Sequence, residues 1–237
     1  MSKIFEATHE VGDFSEYTSS VTDSGRLAIA GGAALAGTSY GMSAQINTTT
    51  AIYAKKTFTA FTSNLYRVRH YIDPNAATIA NYDVVWVCQV RSASDAQYNA
   101  TIELYRQDAQ YKVRAGIRED DYSLDYTSLY NITDAEHWVE ILVERASSSV
   151  ASDAELTLWI DDVQQENLTG KDWYDLAKPD AIRLGATAIP SGSSGTIYLD
   201  ELVINDDGGY IGPVAGHAGA LVSTVPLKSK VFGGLAR

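Results

Sequence analysis

The chain has 237 residues, with 18 basic against 30 acidic side chains and a formal net charge of -12. That length buries a sizeable core without staples, and the single cysteine, Cys88, forms no internal disulfide, so a disulfide-stapled miniprotein is excluded. A hydrophobic share of 45% with 15 Tyr and 4 Trp argues against wholesale disorder, and the acid excess is the wrong sign for neutralising nucleic-acid phosphates or anionic lipid, so neither is an expected partner.

Residues 1–10 contain no apolar run of the kind that opens a secretion signal, and the most apolar stretch, residues 27–37, is far short of the roughly 20 residues that span a bilayer. Four early segments are compatible with strands: residues 26–29, 41–46, 52–58 and 66–72. Three period-two runs follow at 84–91, 98–106 and 111–118, joined by polar links, which is the pattern of an antiparallel meander. In it Tyr98, Ala100, Ile102 and Leu104 share one face, and Tyr111, Val113, Ala115 and Ile117 another, leaving a polar outer side. A four-residue hairpin loop at 107–110 sets Glu103 opposite Arg114, a complementary pair that supports this register. Cys88 lies in the first run and reads as a buried, inert thiol.

Further strands are predicted at 139–145, 156–160, 182–186 and 197–204, about eleven in all. Residues 170–177 read as a helical turn within a connection. In the last strand Ile197 and Leu199 have one parity and Leu202 and Ile204 the other, which predicts a bulge near Asp200-Glu201. With one face of the meander apolar and no long helical period to cover it, the covering layer must be a second sheet. The fold class is all-β.

After Tyr210 the composition changes. Residues 211–237 hold five Gly, two Pro and three basic residues but no acidic one, so the chain divides into an acidic body, 1–210, and a basic tail, 211–237. The tail cannot form a core by itself, and Leu227, Lys228, Lys230, Phe232 and Arg237 are candidate assembly contacts with a neighbouring copy.

The segment His137-Trp138-Val139-Glu140-Ile141-Leu142-Val143-Glu144, followed by Leu156-Thr157-Leu158-Trp159-Ile160-Asp161-Asp162-Val163, resembles the hairpin of concanavalin-A-like, laminin-G-like jelly-roll domains. Ile182-Arg183-Leu184-Gly185-Ala186 and Ile197-Tyr198-Leu199-Asp200-Glu201-Leu202-Val203-Ile204-Asn205 are similar to that family's penultimate and closing strands, and the resemblance covers about residues 4–210. Asp162 stands where the family has Gly, in a turn that favours φ > 0. The closing strand with its Gly-rich extension is similar to jelly-roll proteins among the virion genes of tailed bacteriophages. This resemblance implies a concanavalin-A-like β-sandwich with an extended C-terminal tail, located in a virion, with other virion proteins and copies of itself as partners. The fold itself hosts many functions.

Catalytic signatures are missing. The nearest acid pair on one strand face, Glu140 and Glu144, is about 13 Å apart along the strand, beyond the roughly 5–9.5 Å that glycoside hydrolysis requires. No nucleophile elbow occurs, and His9, His70, His137 and His217 lack zinc-like spacing with one another or with Cys88. Asp120, Asp121, Asp125 and Asp206 are candidate calcium ligands by type, with plain solvated acidic turns as the alternative, and no other cofactor is implied. Tyr122, Tyr126, Tyr130, Trp173 and Tyr174 fall in or near expected loops, where a lectin displays rings that stack on sugars; packing of the sandwich is the alternative for the same rings. The sequence thus predicts a non-enzymatic virion structural protein, a phage head or tail surface component held by its tail, with a carbohydrate-binding module or receptor-binding protein using cell-surface glycan as the second reading.

Overall fold

The computed structural model describes residues 3–92 and 97–215. Among them are sixteen strands: β1 (Lys3–Ala7), β2 (Ser19–Val21), β3 (Leu27–Ala30), β4 (Gly41–Gln45), β5 (Ile52–Thr57), β6 (Leu65–Asp73), β7 (Val84–Arg91), β8 (Tyr98–Gln107), β9 (Gln110–Arg118), β10 (Leu124–Tyr126), β11 (Tyr130–Ile132), β12 (His137–Glu144), β13 (Ala154–Ile160), β14 (Val163–Lys171), β15 (Ala181–Ala188) and β16 (Thr196–Asn205). The described residues contain no α-helix. The five strands beyond the eleven expected are β1, β2, β10, β11 and β14. Four of these are only three to five residues long, and β14 is a largely exposed, polar edge strand without period-two apolar positions.

Two eight-stranded antiparallel sheets form a sandwich. The first runs β14-β13-β12-β6-β16-β4-β3 with β1 beside β16; the second runs β10-β9-β8-β7-β15-β5-β2 with β11 beside β9. Their inner faces meet through Val68, Ile72, Val139, Ile141, Leu158 and Leu199 from one side and Val85, Ile102, Leu104, Val113, Ile117 and Leu184 from the other, all inaccessible or nearly so. Burying such branched side chains contributes about 1.5–3 kcal/mol each relative to exposure, which makes this layer the main source of stability. Cys88 is in the same layer, and burial pushes its thiol well above the ordinary range.

Turn chemistry sets the registers. The β8–β9 hairpin closes on two residues rather than four, Asp108 and Ala109, with φ of 53° and 64°, and Gln107 pairs with Gln110. Because this shortening is symmetric, Glu103 still faces Arg114. The β13–β14 turn, Asp161-Asp162, has φ of 49° and 68°, the left-handed pair of a type I′ hairpin, so Asp162 does occupy a position that favours glycine. Asp161 fastens the turn by accepting the Trp138 amide at 3.0 Å and bonding the His137 ring at 2.5 Å. The bulge in β16 falls where the parity slip places it: the register shifts between Asp200 and Val203, and Glu201 has φ 51°.

Residues 172–178 are not helical, contrary to the expected turn. They form an irregular connection whose amides at Tyr174, Asp175 and Leu176 bond the Asp120 carboxylate instead of one another. After β16 the chain folds back over the outer face of the first sheet. There Gly208 accepts from Arg67 Nε at 2.7 Å, the Gly212 amide donates to Glu140 at 3.0 Å, and the Val214 amide donates to the Tyr71 hydroxyl at 2.9 Å. The sandwich's own contacts therefore continue past Tyr210. The assembly residues Leu227, Lys228, Lys230, Phe232 and Arg237 lie outside the described residues.

Candidate functional site

The outer face of the second sheet is polar and aromatic, because the residues alternating with its core positions are Tyr53 and Lys55 on β5, Arg183 on β15, Trp86, Gln89 and Arg91 on β7, Thr101 and Glu103 on β8, and Arg114, Gly116 and Arg118 on β9. Strand pairing sets one straight row across it: Lys55, Arg183, Gln89, Thr101, Gly116 and Tyr126 are successive Cα partners. At the usual strand spacing this row is about 24 Å long. A second row holds Trp86, Glu103 and Arg114.

This face is less wet than the alternation alone implies: Glu103 is 0% exposed and Thr101 1%. Bulky side chains lie flat over them. The Arg114 guanidinium sits 3.7 Å from the Tyr126 ring centroid, and the Tyr126 ring rests on Gly116, where a Cβ would meet it at 2.8 Å. Only glycine at that point lets the ring settle across the sheet. Tyr98 was expected on the inner face. A register shift between Val90 and Arg91 turns it out, against Trp86 at 4.9 Å and under Arg118 at 4.0 Å.

At the centre Glu103 accepts from Arg114 Nε at 2.7 Å and from the Thr101 hydroxyl at 3.3 Å. Burial raises the Glu103 carboxyl above its ordinary range, with Arg114 and its hydrogen bonds pulling the other way. Burial, together with the Glu103 charge, also pushes the Tyr126 phenol up, so it remains a hydroxyl donor at neutral pH. The face therefore offers ring faces, tyrosine hydroxyls and guanidiniums to a ligand, above the buried Gln89, Thr101 and Glu103. Among its described residues Glu103 is the one carboxylate.

Of the five aromatics proposed from the sequence, the structure brings two to this face. Tyr126 is part of it, and Tyr122, 58% exposed with φ 68°, stands at its edge, where its carbonyl accepts from Arg118. Tyr130 instead packs partly on the core and donates its hydroxyl to Glu166, and Tyr174 lies beneath Arg145. Trp173 is 1% exposed and set edge-on to Tyr66 in the core, so it cannot stack on a sugar. The irregular connection that carries it turns the Trp173 ring into the core while its neighbours stay at the surface, which loop position in the sequence could not reveal. Trp86, Gln89, Tyr98, Arg118 and Arg183 join the face from outside those five. Their signal was available in the alternation Arg114-x-Gly116-x-Arg118, basic residues at the polar parity of an otherwise acidic chain.

The acidic candidates do not converge. Asp120 is occupied by backbone amides, Asp125 by the Lys171 ammonium, and Asp121 by the Ser123 amide, while Asp206 lies apart in the strap after β16. No group of three or more His, Cys, Asp or Glu side chains able to hold a metal ion occurs among the described residues. Glu140 is fully buried and paired with Arg67, while Glu144 is exposed.

No family model and no curated protein matches this sequence. Solved structures do. The endo-β-1,4-glucuronan lyase of the fungus Trichoderma reesei superposes with a TM-score of 0.59 at 12% identity, over 86% of this chain and 95% of that one. The calreticulin globular domain of T. cruzi gives 0.56 at 11%, over 87% and 88%. A botulinum neurotoxin type C structure, described by cell entry dependent on two ganglioside molecules, gives 0.52 at 8%, over 71% of this chain and 40% of that one. At such identities the likeness is one of fold, and with two packed antiparallel sheets it makes this chain a concanavalin-A-like jelly-roll β-sandwich.

Proposed function

We propose that the chain binds carbohydrate across the outer face of its second sheet. The observation that carries this reading is the layer of half-buried Trp86, Tyr98 and Tyr126 rings set around Gln89, Thr101 and Glu103. Ring faces stack on the apolar faces of sugars while the tyrosine hydroxyls and the Arg114 and Arg183 guanidiniums bond their hydroxyls. The glucuronan lyase and the ganglioside-dependent toxin lend support, as glycan-directed proteins on the same fold. The reading is of binding rather than hydrolysis, since hydrolysis by paired carboxylates needs a second acid about 5–9.5 Å from the first. A panel of soluble glycans tests it: the full chain is expected to retain at least one, and Tyr126→Ala and Trp86→Ala to lose it. Retention of none, or binding indifferent to both variants, overturns the reading, and release of sugar products overturns its non-enzymatic part.

A second proposal rests on the charge contrast between residues 211–237 and the acidic body. In it the chain is a structural component of a virus particle, a phage head or tail surface protein whose tail joins it to other copies, with the glycan face as its receptor-binding side. Deleting residues 216–237 is expected to abolish assembly and leave the sandwich folded; assembly by the shortened chain overturns it.

A further inference from the structure

Among the described residues, two guanidiniums on this face have no neutralising partner. Arg118 is 7% exposed; its Nε and Nη1 donate to the carbonyls of Tyr98 and Tyr122 at 2.9 and 2.8 Å, and it stacks on the Tyr98 ring. Arg183 stacks 4.1 Å over Tyr53, and its buried Nε has no hydrogen-bond partner. Neither makes an ion pair among the described residues, whereas Arg26, Arg67, Arg69 and Arg114 each have a carboxylate. Carbonyls and ring faces orient a guanidinium without cancelling its charge. In a chain with 30 acidic side chains a carboxylate could readily have been placed beside each. Leaving the buried Arg118 and the half-buried Arg183 without a carboxylate among the described residues is costly in the free protein, and an anionic ligand would remove that cost.

We infer that the glycan held here is acidic, a uronate polymer whose carboxylates pair with Arg118 and Arg183. This rests on the carbohydrate-binding reading above. A guanidinium fork meets a carboxylate with two parallel hydrogen bonds, and on Arg118, whose Nε is taken by the Tyr98 carbonyl, the Nη1–Nη2 end is the one left for it. Arg183 and Arg118 are on strands three apart and in rows two residues apart, so their Cα atoms are separated by about 16 Å at ordinary strand spacings. One carboxylate cannot reach both, so the ligand carries acids on more than one sugar unit. Phosphate chemistry would fit the same forks. A nucleic-acid strand, however, meets the field of a chain whose net charge is -12, which opposes dense polyphosphate more than a sparsely charged uronate chain.

Titration calorimetry of the full chain tests this with polyglucuronate and polygalacturonate oligosaccharides, neutral cello-oligosaccharides and a single-stranded oligonucleotide. Uronate binding is expected, weakening as salt rises, with a loss of about tenfold or more for Arg118→Gln and for Arg183→Gln. Both variants are expected to melt at or above the parent temperature, an effect that a purely structural arginine would reverse. Should a glutamine variant fail to fold, Arg118→Lys and Arg183→Lys, which keep the charge and lose the fork, carry the same comparison. If neutral glycans bind as tightly as uronates and the arginine variants change nothing, the acidic inference falls and the carbohydrate reading stands. If no glycan binds, or the oligonucleotide binds more tightly than every glycan, both fall.

Discussion

Arg114 donates through Nε to Glu103 at 2.7 Å from the neighbouring strand, and the carboxylate it reaches is fully buried while the Arg114 side chain is 22% exposed. The pair is lopsided: losing the arginine strands a buried charge, whereas losing the acid leaves a guanidinium that water can reach. Removing one partner of a buried pair typically costs about 3–5 kcal/mol, less where one side is partly solvated. Arg114→Ala is therefore expected to destabilise by about 2–4 kcal/mol on that scale, and more than Glu103→Gln does. Denaturant melts of the two variants and the double variant check this, and equal losses would contradict it.

Gly116 gives a more local test. A Cβ there would meet the Tyr126 ring at 2.8 Å and the Thr101 hydroxyl at 3.0 Å. Gly116→Ala is expected to lift the ring off the sheet, weaken glycan binding and cost about 1–3 kcal/mol by overpacking. Binding that survives the substitution unchanged would show that the flat pose of Tyr126 is not what the ligand needs.

The strap after β16 separates two truncations. Glu140 is fully buried, and the amides of Ile211 and Gly212 donate to it beside Arg67. A chain ending at Tyr210 loses both amide donors and is expected to be less stable by about 1–3 kcal/mol, the cost of an unsatisfied buried group. A chain ending at Ala215 keeps these contacts and should exceed the shorter one by that amount. Equal melting of the two truncations would show that the strap adds nothing.

The sandwich was legible because its central strands carry strict apolar alternation, and the slip in β16 was legible because a one-residue change of parity moves Leu202 and Ile204 to the wrong face unless a bulge intervenes. The edge strand β14 was hidden, since exposed edges carry no core positions to count. The site was half legible. Glu103 opposite Arg114 follows from register, but the place of Trp173 does not, because burial of a ring in a connection depends on where the backbone turns, here fixed by the Asp120 carboxylate on amides 54 or more residues away in sequence. Trp173→Ala is accordingly expected to cost about 3–5 kcal/mol of stability, as for a truncated core aromatic, and to leave glycan affinity unchanged in the folded fraction.

Two buried groups set opposing pH dependences. His70 is fully buried on the inner side of β6, and desolvation lowers its pKa from 6.5 to about 4. Glu201 in the β16 bulge is raised from 4.5 to about 7 by burial, against the pull of Arg69. For His70 the unfolded chain binds more protons between about 4 and 6.5, so stability rises with pH there. For Glu201 the folded chain binds more between 4.5 and about 7, so stability falls as pH rises through that window. Each contributes about 3 kcal/mol over its range at 1.36 kcal/mol per pH unit, so the two nearly cancel between pH 4.5 and 6.5. The parent protein should then show little contribution from them across this interval. Glu201→Gln removes one slope and leaves a stability that climbs with pH; His70→Leu removes the other and leaves one that declines. Denaturant melts at half-unit steps of pH read both, and variants whose slopes match the parent's would refute the assignment.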